Sequence, residues 1–234
     1  DPRVAVVPVA DHGDQALEND PEDDGGDPAD ARRRADGGPL QNGQGGHEAG
    51  VRPIRVCLLP ARAAIPREND TVKRLHILRH AKSSWDDEGL PDHERPLAPR
   101  GEKAAARIAD HVRSGSVAPD LVLCSTAVRA RQTLAALLPV LPGDVEILLE
   151  DDLYGASLDS LIERLREVDD RIGAVLVVGH NPTLHTLALA LTERGDALDR
   201  FPTGALATVA LPGPWAELGE SLGELESFVV PREL

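Results

Sequence analysis

From Val72 onward, short apolar runs alternate with segments whose apolar residues recur at helical spacing, and this alternation constrains the fold more than any other feature of the chain. Lys73 to Leu78, Leu121 to Cys124, Val145 to Leu149 and Ala174 to Val178 read as strands. Between them, Pro99 to about Val112 predicts a helix, with Ala104, Ala105, Ile108 and Val112 on one face. Ala127 to Leu138 predicts a second, ended by Pro139. Ser157 suits the cap of a third, running to about Val168 over the stripe Leu158, Leu161, Ile162 and Leu165. Pro182 to Leu191 predicts a fourth, and Leu206 to Leu211 and Phe228 to Val230 predict closing strands. Strands alternating with helices imply an α/β fold: a three-layer α/β/α sandwich around a largely parallel sheet.

Residues 1–71 read differently. Stretches such as Glu22-Asp23-Asp24-Gly25-Gly26-Asp27 and Gly43-Gln44-Gly45-Gly46 carry no sustained apolar period. Such a segment buries too little surface to offset chain entropy, so a disordered acidic tail is expected, followed by one domain over 72–234. The chain contains no methionine, and valine codons can serve as starts. Two readings stay open: a start near Val72, or a genuine acidic tail.

Composition narrows the function. The net charge of −15 argues against nucleic-acid or membrane-surface binding, which needs clustered Lys and Arg. Aromatic residues make up only 2% of the chain, too few for base-stacking platforms. No apolar stretch approaches the roughly 20 residues that span a bilayer. Cys57 and Cys124 match no metal or redox spacing. They fit a reducing cytosol, with Cys124 packed in the core, and a cytoplasmic protein is expected. The glycines at 43, 45 and 46 follow no strand, so a dinucleotide loop is not expected.

The chemistry lies where strands end. Arg79-His80 follows the first run, Ser125-Thr126 the second with Arg129 close behind, and Gly179-His180-Asn181-Pro182 the run at 174–178. In open α/β sheets, ligand sites form at the carboxyl ends of strands. Guanidinium forks suit phosphoryl oxygens. The helix near Ala127 would add free N–H groups, and Asn181 is expected to cap the helix that Pro182 opens. A neutral imidazole can attack phosphorus without activation by a base, and a second, protonated histidine can stabilise charge. Singly, Arg129 reads as a solvated helix residue and a histidine after a strand as a turn cap. Their joint placement points to one anion site. His76, His93, His111 and His185 lack such a setting.

These motifs resemble the histidine phosphatase superfamily. Leu78-Arg79-His80-Ala81-Lys82-Ser83 is similar to its Arg-His-Gly opening, and Arg95-Pro96-Leu97 with Arg100-Gly101 to its entry into the first helix. Cys124 to Thr133 resembles the second arginine motif, and Val178-Gly179-His180-Asn181-Pro182 the second histidine motif. The short stretch between Arg129 and His180 resembles the small branch typified by phosphohistidine phosphatase SixA. The resemblance implies a phosphoglycerate mutase-like fold, with His80 as the phosphorylated nucleophile. Arg79, Arg129 and His180 would bind the phosphoryl oxygens, with Asn181 beside them. It implies neither metal nor cofactor. Two positions depart from the pattern: Ala81 stands for glycine, and Ala98 for a threonine that would cap a helix.

A general acid is harder to place. Glu150, Asp151 and Asp152 follow a strand, and Asp152 is favoured by its position before Leu153-Tyr154. A phosphohistidine leaving group can carry its own proton, so such an acid matters mainly for esters. The expected function is hydrolysis through a covalent phosphohistidine, acting on a phosphorylated protein such as a phosphotransfer domain. The alternatives are a phosphatase of small phosphate esters and an inactive phosphate-binding module.

Overall fold

The structure, a computed structural model, describes residues 54–56, 72–193 and 198–234. The elements, in chain order, are β1 (Ile54–Val56), β2 (Val72–Arg79), α1 (Pro99–His111), β3 (Leu121–Ser125), α2 (Val128–Leu137), β4 (Glu146–Glu150), α3 (Leu158–Arg166), β5 (Ala174–Gly179), α4 (Thr183–Ala190), β6 (Leu206–Pro212) and β7 (Glu224–Val229). They build a seven-stranded sheet in the order β1-β4-β3-β5-β2-β6-β7. The four strands β4, β3, β5 and β2 are parallel. Antiparallel strands close both sides, β1 on β4 and the β6–β7 pair on β2. The expected parallel centre is therefore present, inside a mixed sheet.

Two cores sandwich that sheet. On one face Leu75, Ile77, Leu123, Val175 and Val177 meet Leu161 and Leu165 of α3 and Leu184 and Leu187 of α4. On the other, Leu78, Val122, Leu176 and Val178 meet Ile108 of α1 and Ala130, Leu134 and Leu137 of α2. Neighbouring strand residues thus feed opposite cores, which is why the central runs are apolar without alternation. Cys124 lies in the second core, fully buried, and desolvation pushes its thiol up to about 12.

Local chemistry sets the helix starts. Ser157 Oγ accepts from the Ser160 N–H at 3.1 Å, the cap expected for α3. Ala98 occupies the same position before α1 with extended backbone but no side-chain hydrogen bond. Ala98→Ser is therefore expected to raise stability by about 0.5–2 kcal/mol, measured as a shift in the denaturation midpoint. Asn181 does not cap α4. Pro182 stands at that position, and the Asn181 amide bonds elsewhere.

The Ile54–Val56 strand falls inside the segment expected to be a tail; the rest of that segment, with Cys57 and the glycines at 43, 45 and 46, lies outside the described residues. β7 begins at Glu224, earlier than the apolar residues Phe228 to Val230 indicate, because pairing with β6 rather than hydrophobicity defines it.

His76 is buried in β2, with Nδ1 2.9 Å from Thr208 Oγ1. Desolvation, only partly opposed by Glu226, holds it down to about 4. An unfolded chain takes that proton near pH 6.5. Stability from this group is complete above 6.5 and is lost as pH falls towards 4, at about 1.4 kcal/mol per pH unit. In urea denaturation between pH 7 and 4.5, His76→Gln is expected to flatten that loss. An unchanged slope would remove His76 as its source.

Candidate active site

Register brings the expected residues together. Arg79 on β2 pairs with Gly179 on β5, and Cys124 on β3 pairs with Val178, so the three strands end at one level. After β3 the chain crosses to the helical layer containing α2, and after β5 to the opposite layer containing α4. The crevice between them is a topological switch point, where open sheets place their ligands. His80 and His180 meet there, with ring centroids 5.0 Å apart.

Hydrogen bonds fix the tautomer of His80. The carbonyl of Ala81 accepts from Nδ1 at 2.8 Å, so Nδ1 carries the proton and Nε2 keeps its lone pair. Arg129 Nε donates to that Nε2 at 3.3 Å. Desolvation, with the charges of Arg129 and Arg79, holds His80 well below the ordinary imidazole value. It is a buried, neutral imidazole with its basic nitrogen directed at a guanidinium.

Ser125 does the same for His180. Its fully buried hydroxyl accepts from the Ala127 N–H at 3.3 Å and lies 2.9 Å from His180 Nε2. Donation from the hydroxyl to Nε2 gives its proton an acceptor and leaves Nδ1 as the N–H of His180. Nδ1 is buried and has no hydrogen-bond partner among the described residues. Burial and Arg129 hold His180 down to about 3, so it is a neutral hydrogen-bond donor. A phosphoryl dianion beside it acts in the opposite direction.

Arg79 Nη1 and Asn181 Nδ2 both donate to the Phe201 carbonyl, at 2.9 and 3.0 Å. Ala81 packs against Leu97 and Ala105, and its N–H donates to Thr133 Oγ1 at 3.0 Å. The methyl group that replaces glycine is thus accommodated in a small core. Gly101 has a stricter requirement: a Cβ there would sit 2.0 Å from the Lys82 carbonyl oxygen.

The acidic turn after β4 separates its three carboxylates. Glu150 is clamped by Arg164. Asp151 accepts from the Thr126 hydroxyl at 2.6 Å, and Thr126 Oγ1 lies 2.9 Å from His93 Nε2. Asp152 is exposed and makes no hydrogen bond to another described residue. Ser125, Thr126, His93 and Tyr154 join the site without a local sequence signal for that role. The Tyr154 ring lies edge-on to both His93 and His180, at 4.8 and 5.3 Å. Asp92, in the short turn Asp92–Glu94, likewise lacks a sequence signal, and its carboxylate accepts from Arg129, Arg95 and Tyr154.

Residues 75–158 match the model of the histidine phosphatase superfamily (branch 1). A structure from Nakamurella multipartitia, given as a candidate phosphohistidine phosphatase SixA, is 32% identical, with TM-score 0.61 over 68% of this chain and 96% of that one. The chain belongs to the histidine phosphatase superfamily. Within that superfamily its likeness is to the SixA branch. Phosphohistidine phosphatase SixA of Escherichia coli (strain K12) is 28% identical over 142 residues, covering 59% of this chain and 85% of that protein. Uncharacterized protein Rv1276c of Mycobacterium tuberculosis (strain ATCC 25618 / H37Rv) is 40% identical over 163 residues, covering 66% of this chain and all of the relative. Membership in this superfamily supports phosphatase activity. Among the described residues no helix is long and apolar enough to cross a membrane.

Proposed function

We propose that the protein hydrolyses phosphohistidine on a phosphorylated protein through a covalent phosphohistidine at His80. The observation that carries this is the state of His80: Nδ1–H is tied to the Ala81 carbonyl, and the Nε2 lone pair faces Arg129. Nε2 attacks phosphorus, a new N–P bond forms, and the bond to the leaving group breaks. Water then attacks the phosphoryl group and the N–P electron pair returns to Nε2. Inorganic phosphate leaves with the oxygen of water.

Arg129 and Arg79 take the charge on the equatorial oxygens, the work that Mg²⁺ does in kinases, and His180 donates from Nδ1. Asn181 shares the Phe201 carbonyl with Arg79 and holds that wall of the pocket. A departing imidazole can carry its own proton, which suits a site whose acidic turn holds no carboxylate bonded to His80 or His180. The partner is a phosphotransfer domain or a similar phosphoprotein, met in the cytoplasm.

The test is turnover of a phosphohistidine protein beside a panel of small phosphate esters. Faster turnover of phosphohistidine, unaffected by EDTA and inhibited by vanadate, is expected. High activity on esters with none on phosphohistidine would make the protein a small-molecule phosphatase. Phosphate binding without turnover of either would make it a binding module.

A further inference from the structure

The plane of the Arg129 guanidinium carries five N–H bonds, and one edge of it is held by a single residue. Nη1 donates to the Asp92 carbonyl oxygen at 2.5 Å, and Nη2 to Asp92 Oδ2 at 2.9 Å. Main chain and side chain of Asp92 together grip the end of the fork. The lateral edge, which carries Nε–H and the second N–H of Nη2, remains, and its Nε points to His80 Nε2. A phosphoryl group on Nε2 meets that edge.

Asp92 is itself fixed. Its Oδ1 accepts from Arg95 Nη1 at 2.7 Å and its Oδ2 from the Tyr154 hydroxyl at 2.6 Å. Arg95 is buried and also donates to Ser83 Oγ and the Ser84 carbonyl, both at 2.8 Å. Burial raises the Asp92 carboxyl, but the Tyr154 hydrogen bond, the Arg129 charge and the arginine hydrogen bonds outweigh it and bring it down to about 2. The group is an anion throughout the neutral range.

We propose that Asp92 is a positioning residue, which turns the lateral edge of Arg129 towards His80 Nε2 so that the phosphoryl oxygens meet it edge-on. The proposal rests on His80 as the nucleophile. Asp92 makes no hydrogen bond to His80 or His180 among the described residues, and its grip on the site is through Arg129. An ionised carboxylate is required, because three side-chain donors converge on its two oxygens. Asparagine of the same shape would set its NH₂ against at least one of them.

The experiment compares the full-length protein with Asp92→Asn, alone and in an Arg129→Lys background, on whichever phospho-compound the wild type turns over. Displacement of a positioned group by an ångström can cost about 100-fold, so kcat is expected to fall roughly 10- to 100-fold, with KM changed far less. In the Arg129→Lys background the same substitution is expected to add nothing. The Arg129 Nε–H resonance in ¹⁵N-resolved NMR is expected to shift and exchange faster in Asp92→Asn. Retained kcat, or a full additive loss in the Arg129→Lys background, would overturn the proposal. If Asp92→Asn does not fold, Tyr154→Phe removes one donor from the same carboxylate and is expected to give a smaller loss of the same kind; no loss there would count against Asp92. If the wild type turns over no phospho-compound, the functional reading fails and the NMR signal alone decides the placement of Arg129.

Discussion

His80→Ala is expected to lower turnover by at least about 10⁴-fold, the scale on which enzymes lose a nucleophile. The same substitution should remove acid-labile, base-stable phosphate from the protein after a rapid quench. Both effects follow from the lone pair on Nε2, which the bond from Nδ1 to Ala81 makes available. Arg79, Arg129 and His180 remain in the variant, so phosphate or vanadate should still bind. Quenched wild type that carries phosphate on His180 instead would reverse the roles of the two histidines. Wild type that carries no phosphate during rapid turnover would replace the covalent route with direct attack by water.

The second large effect separates leaving groups. An alkoxide departs poorly, and a positioned acid accelerates its loss by about 10²- to 10⁴-fold. Imidazole needs no such help. Asp152→Asn and Asp151→Asn, made in parallel, are therefore expected to leave phosphohistidine turnover within a few-fold of wild type. Whichever of the two acts as the acid should show its full loss on alkyl phosphates only. Asp152 is exposed, whereas Asp151 is engaged by Thr126, so the pair also compares a carboxylate without a hydrogen-bond partner among the described residues with a held one. Glu150→Gln breaks the clamp with Arg164 and serves as the control for disturbing the turn. Equal, large losses on both substrates would assign the turn a structural role.

The order of strands and helices is legible in the sequence because each element carries its own period. α3 shows this most clearly: Ser157 caps it, and Leu161 and Leu165 of its stripe are buried. His80, Arg129 and His180 are legible for a related reason, since each follows a strand whose end could be located. Asp92 is not. Its importance comes from Arg129 and Tyr154, 37 and 62 residues away along the chain, and no local period encodes such contacts. Ser125 was visible at the end of β3, but its task depends on where β5 delivers His180. Asn181 stands one residue too early to cap α4. Pro182 holds that position, and the Asn181 amide nitrogen donates to the Phe201 carbonyl, while Oδ1, the atom a cap would use, is buried without a hydrogen-bond partner among the described residues. β1 is not legible, because a three-residue strand is too short to show a period.

The Phe201 carbonyl works as a shared pivot. It anchors a guanidinium from the end of β2 and an amide from the end of β5, so one backbone atom sets the separation between two walls of the pocket. The following turn reinforces the link, because Gly204 N–H donates to the carbonyls of Arg79 and His80. A substitution in this turn that never meets a ligand would move both walls together. Drift in pocket width among relatives can thus arise from residues 199–204 while every charged group in the pocket stays the same, and specificity can change in proteins whose catalytic motifs are identical.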